Sequence, residues 1–272
     1  MPKLKSSRTG GSGHPATRRS RPVQTKLLKW ARAGRPVFAE GQCHSMIELV
    51  AFDMAGTTID DHGLVYVALA DAVVETGASL ADDDLQNWMG TDKVAAITAL
   101  MRLGGVEPEA PRVAAAFDRF KQILGDSYRA HPPVGLPGVE ELFRQLAARG
   151  VAVALTTGFS DDVAGPLLES LGWSAGSGCS HLLDAVVTTS HVVRGRPAPY
   201  LIHHAMERVG AADVSTVLAV GDTVVDLLAA HHAGVRGIGV LTGGLTRAEL
   251  AEHPHHAILD SAADLLTLSA LF

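Results

Sequence analysis

The segment Asp53-Met54-Ala55-Gly56-Thr57-Thr58-Ile59-Asp60 directly follows an apolar run over residues 47–52. A short apolar run that ends at a glycine-containing turn is typical of a buried strand in a parallel sheet. A carboxylate at that point lies among the backbone N–H groups of the turn, which suits attack on phosphorus. Asp53 is therefore a candidate nucleophile, although an aspartate after a strand also commonly caps a helix.

Short apolar runs and helical stretches alternate along the rest of the chain. Four more strands are predicted at residues 151–155, 185–187, 217–220 and 237–241. Helices are predicted between them at residues 139–149, 161–171, 199–209 and 224–233. This alternation is typical of an α/β fold with a doubly wound, Rossmann-like parallel sheet.

One stretch interrupts the alternation. Residues 64–132 are predicted to be all-helical, with helices at residues 64–75, 82–88, 93–103 and 112–128. A proline- and glycine-rich segment at residues 132–138 then returns the chain to the strand–helix pattern. We therefore expect a helical cap over residues 64–132, inserted after the first strand of a core formed by residues 46–63 and 133–272.

The composition is that of a soluble enzyme. The chain has 272 residues, of which 47% are hydrophobic and 19% charged, enough for one substantial core. No stretch approaches the roughly 18 uninterrupted apolar residues of a membrane-spanning helix, and the beginning lacks the apolar run of a secretory signal. We expect a cytoplasmic protein without a membrane partner. Cys43 and Cys179 lack metal-binding spacing and are expected to be free thiols.

Charge is concentrated at the beginning of the chain. Residues 1–40 carry ten Lys or Arg against one acid, which leaves 13 basic and 28 acidic residues, a net charge of −15, on the remainder. The run Gly10-Gly11-Ser12-Gly13 and the scarcity of apolar residues before Leu27 predict a disordered basic extension over residues 1–45. Basic tails bind nucleic acids or anionic lipids, but we interpret this one as a solvated extension or the product of an upstream start codon.

A second pair of carboxylates follows the predicted strand at residues 217–220. In Gly221-Asp222-Thr223-Val224-Val225-Asp226, the i, i+4 spacing puts both acids on one side of a turn that enters a helix. Two such carboxylates can hold a hard cation, with water at the remaining positions. Because the carboxyl ends of parallel strands meet at one edge of a sheet, Asp53, Thr157 and Asp222 are expected to lie together.

Four motifs occur in a fixed order along the chain. They are DxAGTTxD at residues 53–60, Leu155-Thr156-Thr157-Gly158, Gly195-Arg196-Pro197, and GDTxxD at residues 221–226. In this order they resemble the haloacid dehalogenase (HAD) superfamily over residues 47–270. Within that superfamily, the chain is most similar to phosphonatases (phosphonoacetaldehyde hydrolases) and phosphonatase-like hydrolases.

The resemblance implies a nucleophile and a metal site. Asp53 is expected to form an aspartyl-phosphate, and Mg²⁺ is expected to be held by Asp53, the main-chain oxygen of Ala55 and Asp222, with Asp226 supporting the metal. An anionic nucleophile and an anionic substrate repel each other, so fixed positive charge is needed to bring them together.

The resemblance also implies how substrate is held. Arg196 is expected to act in catalysis and, with Thr157, to bind phosphoryl oxygens, because its guanidinium offers a fork of donors. Further candidate substrate-binding positions are Thr57, Met89 and Gly158.

Two positions bear on the class of substrate. Typical HAD phosphatases carry a second aspartate two residues after the nucleophile as general acid, and this chain has Ala55 there. Phosphonatases also carry alanine, and they use a cap lysine that forms an imine with the substrate aldehyde. The segment Met89-Gly90-Thr91-Asp92-Lys93 matches their M-G-x-x-K pattern, so Lys93 is a candidate catalytic residue. Imine formation requires a neutral amine, and thus a partly dry environment for Lys93.

The chain departs from the phosphonatase pattern at three supporting positions. It has Ala96 where the family has a histidine, Phe159 where it has a tyrosine, and Gly63 where it has a cysteine. Lys93 as a surface lysine or as a simple cationic contact to substrate therefore stays open.

The sequence predicts an Mg²⁺-dependent, phosphonatase-like hydrolase of a small phosphonate or phosphate. The alternatives are a phosphomonoester phosphatase or phosphoglucomutase-like phosphotransferase, and a binding protein with a degenerate site. The expected partners are a small metabolite and a second copy of the chain, paired through the cap, but no nucleic acid.

Overall fold

The structure is a computed structural model that describes residues 47–176 and 181–272. The strands are β1 (Leu49–Phe52), β2 (Ile59–Asp60), β3 (Val134–Gly135), β4 (Ala152–Thr156), β5 (Ala185–Val187), β6 (Val217–Gly221), β7 (Arg236–Val240) and β8 (Ala257–Leu259). The α-helices are α1 (Leu64–Val74), α2 (Asp82–Gln86), α3 (Lys93–Leu103), α4 (Ala110–Ala130), α5 (Val139–Ala148), α6 (Asp161–Ser170), α7 (Tyr200–Val209), α8 (Val224–Ala233) and α9 (Arg247–Ala251). Among the described helices, none has the length and apolar character needed to span a bilayer.

Six strands form a parallel sheet in the order β5-β4-β1-β6-β7-β8. Successive residues of β1 face opposite sides, so Leu49 packs in one apolar cluster while Val50 and Phe52 pack in the other. Helices α5 and α6 contribute to the cluster with Phe52, and α7 and α8 to the cluster with Leu49. The predicted α/β fold with a doubly wound parallel sheet is confirmed.

The register of the central strands sets the position of the residues that follow them. Phe52 at the end of β1 pairs with Leu155 in β4 and with Val220 in β6. The three strands therefore end at nearly the same level, and the polar residues after them meet at one edge of the sheet.

Helices α1 to α4 occupy residues 64–130 and are called the helical insertion below. The insertion is bounded by β2 and β3, which pair in antiparallel fashion with Ile59 opposite Gly135. A buried carboxylate fixes the start of α1: Asp61 accepts hydrogen bonds from the N–H groups of Gly63 and Val65 and from the Tyr128 hydroxyl on α4. The first and last helices of the insertion are thus joined beside the point where the chain leaves the sheet.

Several elements differ from the sequence-based expectation. The pair β2–β3, the helix α9 and the edge strand β8 were not predicted, because elements of two to five residues seldom show a readable apolar period, although the three-residue strand β5 was predicted. Helix α4 is longer than the predicted helix at residues 112–128, since it begins at Ala110 with a proline in its first turn. The predicted basic extension over residues 1–45 and both cysteines lie outside the described residues. Pairing of two copies through the insertion stays a prediction.

Candidate active site

Asp53 is the first residue after β1 and is buried beneath the insertion. Its N–H donates to the carbonyl of Val220 in the neighbouring strand at 2.8 Å, and its own carbonyl accepts the Thr58 hydroxyl at 2.9 Å. Both main-chain groups of Asp53 are thus held by the sheet and the turn. Its carboxylate therefore has a fixed position at the carboxyl edge of the sheet.

Arg196 bridges two carboxylates at this edge. Its Nη1 lies 2.6 Å from Asp53 Oδ1 and its Nε lies 2.9 Å from Asp226 Oδ1. The remaining nitrogen, Nη2, donates to the Thr156 carbonyl at 2.7 Å and to the Thr156 hydroxyl at 3.0 Å. Only 3% of the Arg196 side chain is exposed, so the guanidinium is a fixed positive charge beside Asp53.

Three buried carboxylates form a cluster that suits a divalent cation. One oxygen each from Asp53, Asp222 and Asp226 lie within 4.8 Å of one another. Hard oxygen donors in this number are the ligands that Mg²⁺ prefers. Arg196 alone does not balance three buried negative charges. The donor set and its excess negative charge both fit a divalent cation, with Asp53, Asp222 and Asp226 as the residues that would hold it.

The pKa values of Asp53 and Asp222 reflect the excess of negative charge in the cluster. Burial raises the pKa of Asp53 to about 6, against the opposing effect of Arg196. Burial, followed by repulsion from Asp53 and Asp226, raises the pKa of Asp222 well above its usual range. A bound cation would favour the ionised forms of both groups.

The backbone and Thr57 enclose Asp222. A Cβ on Gly56 would stand 2.5 Å from Asp222 Oδ2, and a Cβ on Gly243 would overlap the same carboxylate. The main chain next to Ala55 therefore lies against this end of the cluster. The Thr57 hydroxyl donates to Asp222 Oδ1 at 2.7 Å, and its contact to substrate stays a prediction.

The helical insertion is packed directly onto the carboxyl edge. Arg196 Nη1 donates to the carbonyl of Gly90 at 3.3 Å, so the same nitrogen contacts both Asp53 and the helical insertion. A Cβ on Gly90 would meet the Thr223 hydroxyl at 2.5 Å, and a Cβ on Gly158 would overlap the carbonyl oxygen of Thr91. The absence of a side chain at Gly158 thus leaves room for the main chain of Gly90 and Thr91 in the insertion. The predicted contact of Gly158 with substrate stays a prediction.

Replacing Gly158 with alanine is expected to loosen this closed arrangement. The added methyl would overlap main-chain atoms that cannot rotate away, and overpacking of this kind costs about 1–3 kcal/mol. We expect amide hydrogen exchange over residues 88–95 to accelerate by about tenfold or more. Gly165→Ala on α6 is the matched control, because no atom lies within 4 Å of its Cβ position. Equal exchange in Gly158→Ala and the wild type would contradict the prediction.

Lys93 begins α3 and is buried, with 5% of the residue exposed. Its Nζ donates to the Thr91 carbonyl at 3.0 Å. Burial lowers the pKa of Lys93 to about 8, with Asp53 opposing the shift and Arg196 adding to it. The alternative of a surface lysine is therefore wrong, and the amine lies in the electrostatic field of Asp53.

The other predicted positions are also near this edge. Thr157 is buried, and its hydroxyl oxygen accepts the N–H of Phe159 at 3.1 Å. Met89 is half-buried, and its Cε lies 3.7 Å from the position of a Cβ on Gly244, in the loop after β7. Tyr66 on α1 was missed by the sequence analysis, since it stands in an apolar helix without a motif around it. Its ring lies 5.9 Å from Lys93 Nζ.

Comparisons with known proteins agree with this arrangement. A phosphonoacetaldehyde hydrolase from Latilactobacillus sakei is 28% identical over 238 residues, which cover 80% of this chain and 86% of that protein. A phosphoglycolate phosphatase from Pectobacterium atrosepticum is 29% identical over 221 residues, which cover 80% of this chain and 91% of that protein. The crystal structure of a hydrolase from Pseudomonas syringae shares the fold, with a TM-score of 0.73, 24% identity, and coverage of 82% of this chain and 98% of that one.

The sequence pattern of the haloacid dehalogenase-like hydrolases matches residues 47–234, which is more than half of the chain and includes all four motifs. The predicted membership is confirmed by this match and by the order of the site residues along the sheet. The protein belongs to the haloacid dehalogenase-like hydrolase family.

Proposed function

We propose that this hydrolase cleaves the carbon–phosphorus bond of a small phosphonate that carries a carbonyl group, of the phosphonoacetaldehyde type. The observation that carries the proposal is the buried amine of Lys93, whose pKa is about 8. About one tenth of such an amine is neutral at pH 7, whereas an ordinary lysine is neutral in roughly one molecule in three thousand. The relative from Latilactobacillus sakei, named a phosphonoacetaldehyde hydrolase, supports the same substrate class.

The proposal gives each residue of the carboxyl edge a role. Asp53 attacks phosphorus and becomes an aspartyl-phosphate, while Arg196 stabilises the negative charge on the phosphoryl oxygens. Asp53, Asp222 and the main-chain oxygen of Ala55 would hold Mg²⁺, with Asp226 in support, and the ion would offset the repulsion between the substrate and Asp53. Thr157 and Met89 are the proposed contacts to the phosphoryl group and to the rest of the substrate.

The proposed reaction balances without an external oxidant or reductant. Lys93 Nζ attacks the carbonyl carbon of the substrate, and water leaves to give a protonated imine. The imine accepts the electron pair of the carbon–phosphorus bond as phosphorus transfers to Asp53, which leaves an enamine on Lys93. Protonation of the enamine carbon and addition of water release the aldehyde, and a second water releases phosphate from Asp53. No acid is required at position 55, because the leaving group is carbon.

A second candidate is a phosphomonoester phosphatase or phosphoglucomutase-like enzyme in which Lys93 only contacts substrate. It is favoured by the relative from Pectobacterium atrosepticum, named a phosphoglycolate phosphatase. Such an enzyme must expel an alkoxide, and the acid that typical HAD phosphatases place two residues after the nucleophile is Ala55 in this chain. Phosphate release from phosphonoacetaldehyde and from a panel of small phosphate esters, each with and without Mg²⁺, separates the two candidates.

Trapping with cyanoborohydride tests the imine directly. Incubation with phosphonoacetaldehyde and cyanoborohydride is expected to give a reduced adduct on Lys93, identified by peptide mass. The amine must be neutral to attack, so the rate of adduct formation is expected to rise from pH 6 to pH 9 with its midpoint near the Lys93 pKa of about 8. Asp53, Arg196, Asp92 and Asp61 are the charged groups that act on this amine. Phosphate release from simple esters without any Lys93 adduct would contradict the proposal.

A further inference from the structure

The amine of Lys93 lies between two aromatic rings. Its Nζ is 5.5 Å from the ring centroid of Phe159, which follows β4, and 5.9 Å from that of Tyr66 on α1. The carbonyl of Thr91 is its hydrogen-bond acceptor. Of the two rings, Tyr66 is the one that carries a hydroxyl group.

The Tyr66 hydroxyl is a donor without an assigned acceptor. Within residues 47–176 and 181–272, no hydrogen bond of this hydroxyl is found, whereas the Tyr128 hydroxyl donates to Asp61 at 3.1 Å and the Thr91 hydroxyl to the Trp88 carbonyl at 2.7 Å. Tyr66 is half-buried and stands in the first turn of α1, where its N–H is bonded to the carbonyl of Gly63 at 3.1 Å. The main chain of Tyr66 is thus held at the start of α1, and its hydroxyl has no acceptor among the described residues.

The charges around Tyr66 determine in which form the hydroxyl acts. Burial and then the carboxylates of Asp222 and Asp53 raise the pKa of Tyr66 well above its usual value. The hydroxyl therefore keeps its proton and acts as a hydrogen-bond donor.

We propose that Tyr66 is a catalytic residue whose hydroxyl donates a hydrogen bond to the carbonyl oxygen of the substrate while Lys93 attacks the carbonyl carbon. This inference rests on the proposed function. In the proposed function, Arg196 and the carboxylate cluster bind the phosphorus end of the substrate. The carbonyl oxygen at the other end therefore still lacks a hydrogen-bond donor beside Lys93. The centroids of the Tyr66 and Phe159 rings lie 5.9 Å and 5.5 Å from the amine, and the Tyr66 hydroxyl is the donor proposed for this oxygen.

The step is balanced as follows. Nζ of Lys93 forms a bond to the carbonyl carbon, and the π electrons of the C=O bond move onto oxygen, where the hydrogen bond from Tyr66 stabilises the charge. A proton from the attacking nitrogen passes to this oxygen to give the carbinolamine. The C–O bond then breaks, and the oxygen leaves as water after taking a proton from solvent, so that a protonated imine remains. Tyr66 ends the step with its own proton.

This role accounts for a departure of the chain from the phosphonatase pattern. The polar positions expected near the lysine are Ala96 and Phe159 here, and both side chains are buried and cannot donate. Tyr66 is the second aromatic ring beside the same amine, and it carries a hydroxyl. The hydroxyl that the phosphonatase pattern places after β4 is thus provided in this chain by Tyr66 on α1.

The test is Tyr66→Phe, which removes one oxygen atom. The rate of Lys93 adduct formation with phosphonoacetaldehyde and cyanoborohydride is expected to fall by about 30-fold or more, and kcat with it, while KM changes by less than about threefold. Tyr200→Phe on α7 is the matched control, since Tyr200 is 45% exposed and lines a surface cavity with His203 and Glu207, which lacks the proposed site residues. It is expected to behave as the wild type in both assays.

A second variant distinguishes the loss of the hydroxyl from a loss of activity through misfolding. In Tyr66→Phe/Phe159→Tyr the hydroxyl stands on the opposite ring, and adduct formation is expected to recover by about tenfold. Adduct formation by Tyr66→Phe within about twofold of the wild-type rate, or no recovery in the double variant, would overturn the role of Tyr66. A wild-type protein that forms no Lys93 adduct would instead overturn the proposed function itself, and this inference with it.

Discussion

Replacing Asp53 with asparagine is expected to lower kcat for phosphate release by at least about 10⁴-fold. Asparagine keeps the shape of the side chain and its main-chain bonds, but its amide oxygen is too weak a nucleophile to attack phosphorus. The buried pair with Arg196 at 2.6 Å is also lost, although Arg196 keeps its contact with Asp226 at 2.9 Å. The guanidinium therefore stays in place, and the loss reports on the nucleophile.

The stability of this variant separates chemistry from folding. Asp53 raises the pKa of Asp222 by repulsion, so removing its charge relieves part of the cost of burying the cluster. The melting temperature without Mg²⁺ is expected to stay equal or to rise. Asp71→Asn on the exposed face of α1 is the control and is expected to retain full activity. An Asp53→Asn protein with more than about 1% of wild-type kcat, verified by mass to be free of deamidation, would exclude covalent catalysis by Asp53.

Replacing Lys93 with arginine is expected to lower turnover of phosphonoacetaldehyde by about a thousandfold or more. Arginine retains a positive charge and can donate to the Thr91 carbonyl, which accepts from Lys93 in the wild type. A guanidinium stays protonated at every pH of interest and forms no imine with an aldehyde. The substitution therefore keeps the electrostatic contribution of residue 93 and removes its covalent one.

The two candidate functions predict opposite results for this variant. If Lys93 only contacts an anionic substrate, Lys93→Arg should turn over its phosphate ester within about tenfold of the wild-type rate. Lys121→Arg on α4 is the matched control, because Lys121 is partly exposed and paired with Asp162 at 2.9 Å. It is expected to leave both activities unchanged. Near-wild-type turnover of phosphonoacetaldehyde by Lys93→Arg would exclude imine chemistry at this residue.

The electrostatics of the site couple Asp53 and Lys93 to the same guanidinium, that of Arg196. The carboxylate of Asp53 opposes the lowering of the Lys93 pKa, while burial and Arg196 favour the neutral amine. Arg196 in turn opposes the rise of the Asp53 pKa that burial causes. One guanidinium therefore favours the reactive forms of both groups, an ionised carboxylate and a neutral amine.

The sheet and the composition of its carboxyl edge were predictable from the sequence. Each central strand is a short apolar run that ends at a polar residue, and that pattern needs only local reading. Phe52 is the last residue of β1 in both the prediction and the structure, and its pairing with Leu155 and Val220 brings Asp53, Thr157 and Asp222 to one level. The apolar run of the edge strand β5 was readable, whereas β8 and the pair β2–β3 were missed because their two or three residues are recognised as strands only through their pairing partners.

The sequence by itself determined the family, the fold class and the residues at the ends of the strands, since these depend on local apolar periodicity and on the order of motifs. Only the tertiary structure decided the state of Lys93, the bridging position of Arg196 between Asp53 and Asp226, and the approach of Tyr66 to the amine. The physical reason is that burial and electrostatic field at these side chains arise where the helical insertion packs on the sheet. Residues distant in sequence create that environment, and no local pattern encodes it.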